Sequence, residues 1–253
     1  MQDLKHWSVS IDDANLCWLT LDVSGKSVNV LTHAVMAELG QIIDWVESQS
    51  IIAGVGMLSG KSGGFVYGAD IAEFELLATA DDVLQHMQMV HALFNRIDSL
   101  DVPTIVGIDG IAVGGGLEIA LTFDRIITTA SPKTKLGFPE VNLGILPGYG
   151  GSGRAYRRIG TAAVTQMMMS GRPLTASAAK AAGLIDQTVD DAAALQPAMT
   201  SWLTAQNRAK PHRQQRETAA DQKALDDASA QFLTRLRADH TPAPFAIIEH
   251  VRR

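Results

Sequence analysis

The stretch that decides the fold is Ile105-Val-Gly-Ile-Asp-Gly-Ile-Ala-Val-Gly-Gly-Gly-Leu-Glu118, followed by Leu136-Gly-Phe-Pro-Glu140 and Leu146-Pro-Gly-Tyr-Gly-Gly151. Thr104–Ile108 is a short apolar run entered from Pro103 and reads as a buried strand. Asp109-Gly110 is a turn pair, Ile111–Val113 leads into three glycines, and Leu117–Phe123 reads as a short helix opening on them. Ile126–Ala130 is the next strand. Glycines at a helix start let unpaired N–H groups point at an anion, and Glu118 and Glu140 bring two carboxylates onto this glycine-rich backbone. Taken singly, each feature has an ordinary structural reading, as close packing, first-turn electrostatics or a surface charge. The two glutamates are 22 residues apart with one strand between them, so a helix, a returning strand and a loop can carry both to one cleft.

Upstream, Trp7–Ile11 and Leu16–Asp22 flank Asp12-Asp-Ala-Asn15 and predict a hairpin. Leu31, Val35, Leu39, Ile42, Ile43 and Val46 recur at helical spacing, and Ile51–Leu58 follows as a buried strand. Four glycines, at 60, 63, 64 and 68, mark the next loop. Thr79 is a cap signal with Asp82 three residues on, and Leu84, Met87, Leu93, Phe94 and Ile97 supply that helix with an apolar face. Strand and helix thus alternate to about residue 130, which predicts an α/β fold. Beyond it the pattern is helical, over Gly151–Ile159, Ala162–Met169, Thr175–Ala182, Asp191–Ala205 and Arg216–Ala238. The expected organisation is a core over 1–195 and a helical C-terminal region over 196–253. The chain stops inside the apolar-periodic run Phe245–Arg253 without a stop signal, as a cut chain would.

The charge balance, 21 basic against 27 acidic residues in 253, gives a net charge of −6, which offers no general attraction to nucleic acid or an anionic membrane surface. A single cysteine, Cys17, excludes an intrachain disulfide and sits in a strand-like run as a buried thiol. The N-terminus has no apolar signal core, and nowhere do about 18 uncharged apolar residues run together, so no membrane insertion is expected and the reading is cytoplasmic.

Three motifs, Phe65-Val-Tyr-Gly-Ala-Asp-Ile71, Gly110-Ile-Ala-Val-Gly-Gly-Gly-Leu-Glu118 and Leu136–Gly151, resemble in order and spacing those of the enoyl-CoA hydratase/isomerase (crotonase) superfamily. The resemblance runs from about residue 7 to 195, and is particularly to the hydratase portion of multifunctional fatty-acid-oxidation alpha subunits. It implies a crotonase-type spiral of ββα units with a helical C-terminal region. It also implies an oxyanion hole from the N–H groups of Ala69 and Gly115, acid–base catalysis by Glu118 and Glu140, and a catalytic water held at the Gly148 N–H. The implied activity is water addition to a 2-enoyl-CoA thioester, with Δ3-Δ2 isomerisation or a non-catalytic acyl-CoA-binding or assembly role as alternatives. Coenzyme A is then part of the substrate and no other cofactor is implied. Lys26, together with Lys61, is a candidate for the CoA phosphates. Tyr67 and Phe138 are large where many simple hydratases are small, so they, with Gly68 and Asp70, are candidate substrate contacts. Asp70 and Asp124 read as residues that fix loops and helix ends rather than as groups that do chemistry. Members of the family form trimers or hexamers, which makes a homo-oligomer, or a part of a multienzyme complex, the expected assembly.

Other signals are set aside. Gly148-Tyr-Gly-Gly-Ser-Gly153 matches G-x-G-x-x-G but follows a proline rather than a strand and lacks the acidic residue about 20 positions on. The seven histidines form no metal-ligand pair, and His86 and His91, five apart, point to different faces of a helix.

Overall fold

The computed structural model describes residues 3–76 and 78–209, and eight scattered positions from Lys223 to Glu249. The first hairpin forms where expected. β1 (Trp7–Ile11) pairs antiparallel with β2 (Leu16–Leu21), and Asp12 closes the turn by accepting the N–H groups of Ala14 and Leu16 at 2.9 and 3.0 Å. α1 (His33–Ser48) starts at Thr32, whose hydroxyl accepts the Val35 N–H at 3.1 Å, and buries the face from Val35 to Val46 that its spacing predicts. β3 (Gly54–Ser59) follows parallel to β2. α2 (Ala80–Asp98) opens with Thr79 and Asp82 capping each other reciprocally.

Next come β4 (Thr104–Ile108), β5 (Ile111–Val113), α3 (Gly115–Ala120), β6 (Arg125–Thr129), β7 (Lys135–Gly137) and α4 (Gly151–Ser170). The described chain continues through β8 (Leu174–Thr175), α5 (Ala176–Ala182), β9 (Gln187–Val189) and α6 (Leu195–Ala205). Six strands form one sheet in the order β1-β2-β3-β4-β6-β9, parallel apart from the first pair. β5, β7 and β8 form a second sheet, and single bridges between Leu31 and Ala69 and between Val66 and Ala112 bring the earlier loops alongside it. Each turn of the chain gives one strand to the large sheet, passes the small one and returns through a helix, as in β4-β5-α3 and β6-β7-α4. The fold is therefore the mixed α/β spiral of ββα units.

Two departures from the sequence reading have local causes. The chain is not purely helical beyond residue 130: β7, β8 and β9 are only two or three residues long, too short to show a period of two, and β9 is held by its neighbour β6. The helices read over Gly151–Ile159 and Ala162–Met169 both form, and the break between them in α4 falls at Gly160, whose φ of +74° leaves the helical backbone. Asp191 caps a single 3-10 turn, accepting the Ala194 N–H at 3.0 Å, and the regular helix starts only at Leu195.

The main core lies between the sheets and helices α1 to α4. A second, smaller core forms where α6 lays Leu195, Met199 and Leu203 on Leu16, Trp18, Ile105 and Ile127 of the large sheet. Glycines within the strands make room for it: a Cβ on Gly56 would lie 2.4 Å from the Trp18 ring, and one on Gly107 would lie 2.5 Å from Met199 Sδ. Most of Arg216–Ala238 and of the C-terminal run lies outside the described residues, although Ile247 is fully buried in the main core.

Candidate active site

Gly114 is the first element of the site. It precedes α3 at φ +53°, a conformation that side chains rarely adopt, and it turns the chain from β5 into the helix. Gly116 is required for packing: a Cβ there would lie 2.1 Å from the Val66 carbonyl oxygen. This close approach sets Glu118 in the first turn of α3, 2 % exposed. Its Oε1 accepts the N–H groups of Tyr149 and Gly151 at 2.7 and 2.8 Å, and the Gly148 N–H also faces the carboxylate. The start of α4 is therefore an anion site filled by the protein's own glutamate, which accounts physically for the dinucleotide-like glycine pattern at 148–153.

Glu140 opens a 3-10 turn (Glu140–Leu143) behind Pro139 and is 8 % exposed. Its Oε1 lies over Gly114, where a Cβ would approach it to 2.8 Å. Its Oε2 is buried with no hydrogen-bond partner among the described residues. The structure thus brings the two predicted glutamates together, in unlike surroundings. Burial pushes Glu118 up to about 7, against the opposing pull of the Gly151 and Tyr149 N–H groups and the Arg154 guanidinium. Burial and the neighbouring Glu118 charge push Glu140 up to about 8. Hydrogen bonds to its anion favour ionisation of Glu118 first. Glu140, with nothing to stabilise a charge on Oε2, keeps its proton longer.

The backbone donors lie beside this pair. Leu31 donates its N–H to the Gly68 carbonyl at 2.8 Å and accepts the Asp70 N–H at 3.1 Å, so the Ala69 N–H between them is turned to the other side. Gly68, at φ +101°, places its Cβ position 3.7 Å from the Gly115 nitrogen. Neither the Ala69 nor the Gly115 N–H has a hydrogen-bond partner among the described residues. Two unpaired N–H groups near a pair of buried carboxyls are suited to holding an oxyanion while protons move next to it.

The other candidates divide. Lys26 forms an ion pair with Asp70, which holds the Asp70 carboxyl below its ordinary range. Lys61 pairs with Asp22 at 2.5 Å. Tyr67 donates its hydroxyl to the Gly63 carbonyl at 3.0 Å and ties down the glycine loop. Phe138 is fully buried in the main core rather than on the wall of the open space between Ala69, Tyr149 and α2. Asp124 anchors β4 by accepting the Thr104 N–H and hydroxyl at 2.8 and 3.0 Å.

That open space is a cavity of about 480 Å³ beside Ala69 and Tyr149, lined also by Leu31, His33, Asp70, Glu73, Phe74 and, from α2, Asp82, Gln85, His86 and Met89. His86, Tyr149, His91 and Arg154 are residues of the site whose part in it the sequence does not reveal. His86 Nε2 meets the Tyr149 hydroxyl at 2.8 Å, and His91 Nε2 meets the Gly148 carbonyl at 2.7 Å, so two histidines on different helix faces hold adjacent residues of one loop. Arg154, buried, donates to the Tyr149 carbonyl at 3.2 Å and to Asn95 Oδ1 at 2.8 Å, and its Nε lies 3.5 Å from Asp98. Only the partners across the fold reveal these roles.

The family model described as enoyl-CoA hydratase/isomerase matches residues 12–241. The chain belongs to the enoyl-CoA hydratase/isomerase family. Among curated relatives, the fatty acid oxidation complex subunits alpha of Shewanella halifaxensis and Shewanella amazonensis are 32% and 33% identical over 98% of this chain. The chain spans 36% of their length, about a third. Solved structures share the fold: an enoyl-CoA hydratase from Bacillus anthracis superposes with a TM-score of 0.72 at 22% identity, covering 97% of this chain and 90% of that one. An enoyl-CoA hydratase from Mycobacterium smegmatis gives 0.74 at 20% identity, over 99% of this chain and 91% of that one.

In this hydratase/isomerase chain Cys17 is a core residue, its thiol pushed up to about 12 by burial, and it takes no part in the site. Among the described residues no group of three or more His, Cys, Asp or Glu is arranged to hold a metal ion, and no helix is long and apolar enough to cross a membrane.

Proposed function

We propose that this chain hydrates trans-2-enoyl-CoA thioesters to 3-hydroxyacyl-CoA within fatty-acid β-oxidation. The observation that carries the proposal is the unequal pair of buried carboxyls beside two unpaired N–H groups. In this reading the thioester oxygen sits between the N–H groups of Ala69 and Gly115. Glu118, held as the anion by Tyr149 and Gly151, takes a proton from water as its oxygen bonds to C3. The π electrons move onto the thioester oxygen as an enolate that the two donors stabilise, each worth about 2.7–4 kcal/mol in comparable sites. C2 then takes the proton of Glu140, and the carbonyl re-forms. Glu118 ends protonated and Glu140 ionised, and exchange with solvent restores the starting state. Water addition is redox-neutral, so the step needs no redox cofactor, and coenzyme A enters only as part of the substrate.

Retention of two carboxyls favours hydration over Δ3-Δ2 isomerisation, which needs a single group to carry a proton between C2 and C4. The Lys26–Asp70 pair is placed in this reading at the mouth that receives the CoA phosphates. The likeness to alpha subunits supports a place in a multienzyme assembly or a homo-oligomer, and a cytoplasmic setting. The test is loss of the conjugated thioester absorbance on adding trans-2-enoyl-CoA. Turnover that Glu118→Gln and Glu140→Gln each abolish supports the reading; no turnover, or conversion of 3-enoyl-CoA alone, overturns it.

A further inference from the structure

Among the described residues three charged side chains are buried, Glu118, Glu140 and Arg154. Two acids and one base balance when one carboxyl is ionised and the other keeps its proton, which is the division that water addition needs. The placement of Arg154 favours Glu118 as the ionised one. Its Nη1 donates to the Tyr149 carbonyl at 3.2 Å, and the Tyr149 N–H donates to Glu118 Oε1 at 2.7 Å, so cation and anion hold opposite ends of one residue. Arg154 also stands in the first turn of α4, three residues past Gly151, the second donor to the same oxygen.

The other partners of the guanidinium leave its charge largely unmatched. Its Nη2 donates to the neutral Asn95, and Asp98 approaches Nε only to 3.5 Å, so that buried nitrogen has no hydrogen bond among the described residues. Both partners lie on α2, and four residues before Asn95 the same helix carries His91, which donates from Nε2 to the Gly148 carbonyl, a group that can only accept. The remaining charged neighbours are Arg157 on α4, which repels Arg154, and Glu140 and the Tyr149 phenol, which face Glu118. Arg154 is the charge in this group that opposes the effect of burial on Glu118.

We propose that Arg154 is a positioning residue for the reaction: acting through Tyr149, it keeps Glu118 the ionised and correctly aimed base, and Asp98 sets how much of its charge Glu118 receives. Arg154 does not line the open cavity. The proposal rests on the hydratase reading for the role of Glu118, and it adds the residue that tunes that base.

The experiment measures the pH profile of kcat/KM for crotonyl-CoA, and the Glu118 carboxyl resonance in the ligand-free protein, for the native chain, Arg154→Gln, Arg154→Lys and Asp98→Asn. In Arg154→Gln the acid limb and the resonance midpoint are expected to move up by about one pH unit, the usual effect of losing a unit charge several ångströms away at an effective dielectric constant of about 20. Arg154→Lys, which keeps the charge, should restore most of that shift. Asp98→Asn should move both the other way by about half a unit, because it removes the anion that competes with Glu118 for Arg154. Opposite shifts from two variants that each lose a contact separate charge from a loosened fold. Unmoved midpoints, shifts in one direction for both, or a lysine no better than glutamine overturn the proposal. If Arg154→Gln does not fold, Asp98→Asn decides alone: a downward shift upholds the proposal, and any other result overturns it. If the native chain does not hydrate crotonyl-CoA, the hydratase reading fails, and the Glu118 resonance still decides the role of Arg154.

Discussion

Replacing Glu140 by glutamine is expected to abolish turnover while stabilising the fold in alkaline solution. The carboxyl is raised from 4.5 to about 8 by burial and by the charge of Glu118, and it is 8 % exposed, so little solvent screens it. Below pH 4.5 the folded and unfolded chains both carry the proton, and the group makes no difference to stability. As pH rises towards 8 the unfolded chain releases a proton that the folded chain retains, and stability falls. Above 8 the folded chain holds a buried carboxylate, at a cost of at most about 5 kcal/mol by the usual 1.36 kcal/mol per pH unit. Glutamine fills the same volume without the charge and forfeits no hydrogen bond at Oε2, which has no partner among the described residues. Its urea midpoint should therefore match that of the native chain at pH 4 and exceed it at pH 9. Hydration of crotonyl-CoA should fall by roughly 10²–10⁴, the usual contribution of a general acid. A stability difference that does not change with pH, or undiminished turnover, would refute the reasoning.

Glu118→Gln keeps an oxygen for the Tyr149 and Gly151 N–H groups, so the fold should persist while kcat falls by a similar roughly 10²–10⁴. Removing its charge should also lower the Glu140 pKa, moved down from about 8 and read from the carboxyl resonance across a pH titration. The native pH profile of kcat/KM should be a narrow bell, rising as Glu118 ionises near 7 and falling as Glu140 ionises near 8; a flat profile from pH 6 to 9 would contradict the pairing. Gly116→Ala puts a Cβ 2.1 Å from the Val66 oxygen and should cost several kcal/mol in a thermal melt, whereas Gly40→Ala, with nothing within 4 Å, should stabilise α1 by about 0.5–1 kcal/mol. Arg154→Met removes hydrogen bonds to the Tyr149 carbonyl and Asn95 and the ion pair with Asp98, and should destabilise by about 1–3 kcal/mol in urea.

Much of this protein is legible in its sequence. The apolar face of α1, the capped start of α2, the first hairpin, β4 and the turn at Gly114 are readable because each depends on residues near it in the chain: Thr79 finds Asp82, and Asp12 finds Ala14 and Leu16. The two glutamates are legible for the same reason, each following a distinctive glycine or proline. The strands β7, β8 and β9 are not, since a strand of two or three residues has no period of its own and exists only because a neighbour offers a ladder. The unequal character of Glu118 and Glu140 is likewise a tertiary product, set by which N–H groups reach one carboxylate and leave the other's Oε2 unpaired. So are the roles of His86, His91 and Arg154, whose partners at Tyr149, Gly148 and Asn95 lie 57 to 63 residues away along the chain. Local chemistry in the sequence determined where helices start and which residues could act. Burial and long-range contact, which no window of sequence contains, decided which of them are charged and which partners hold them.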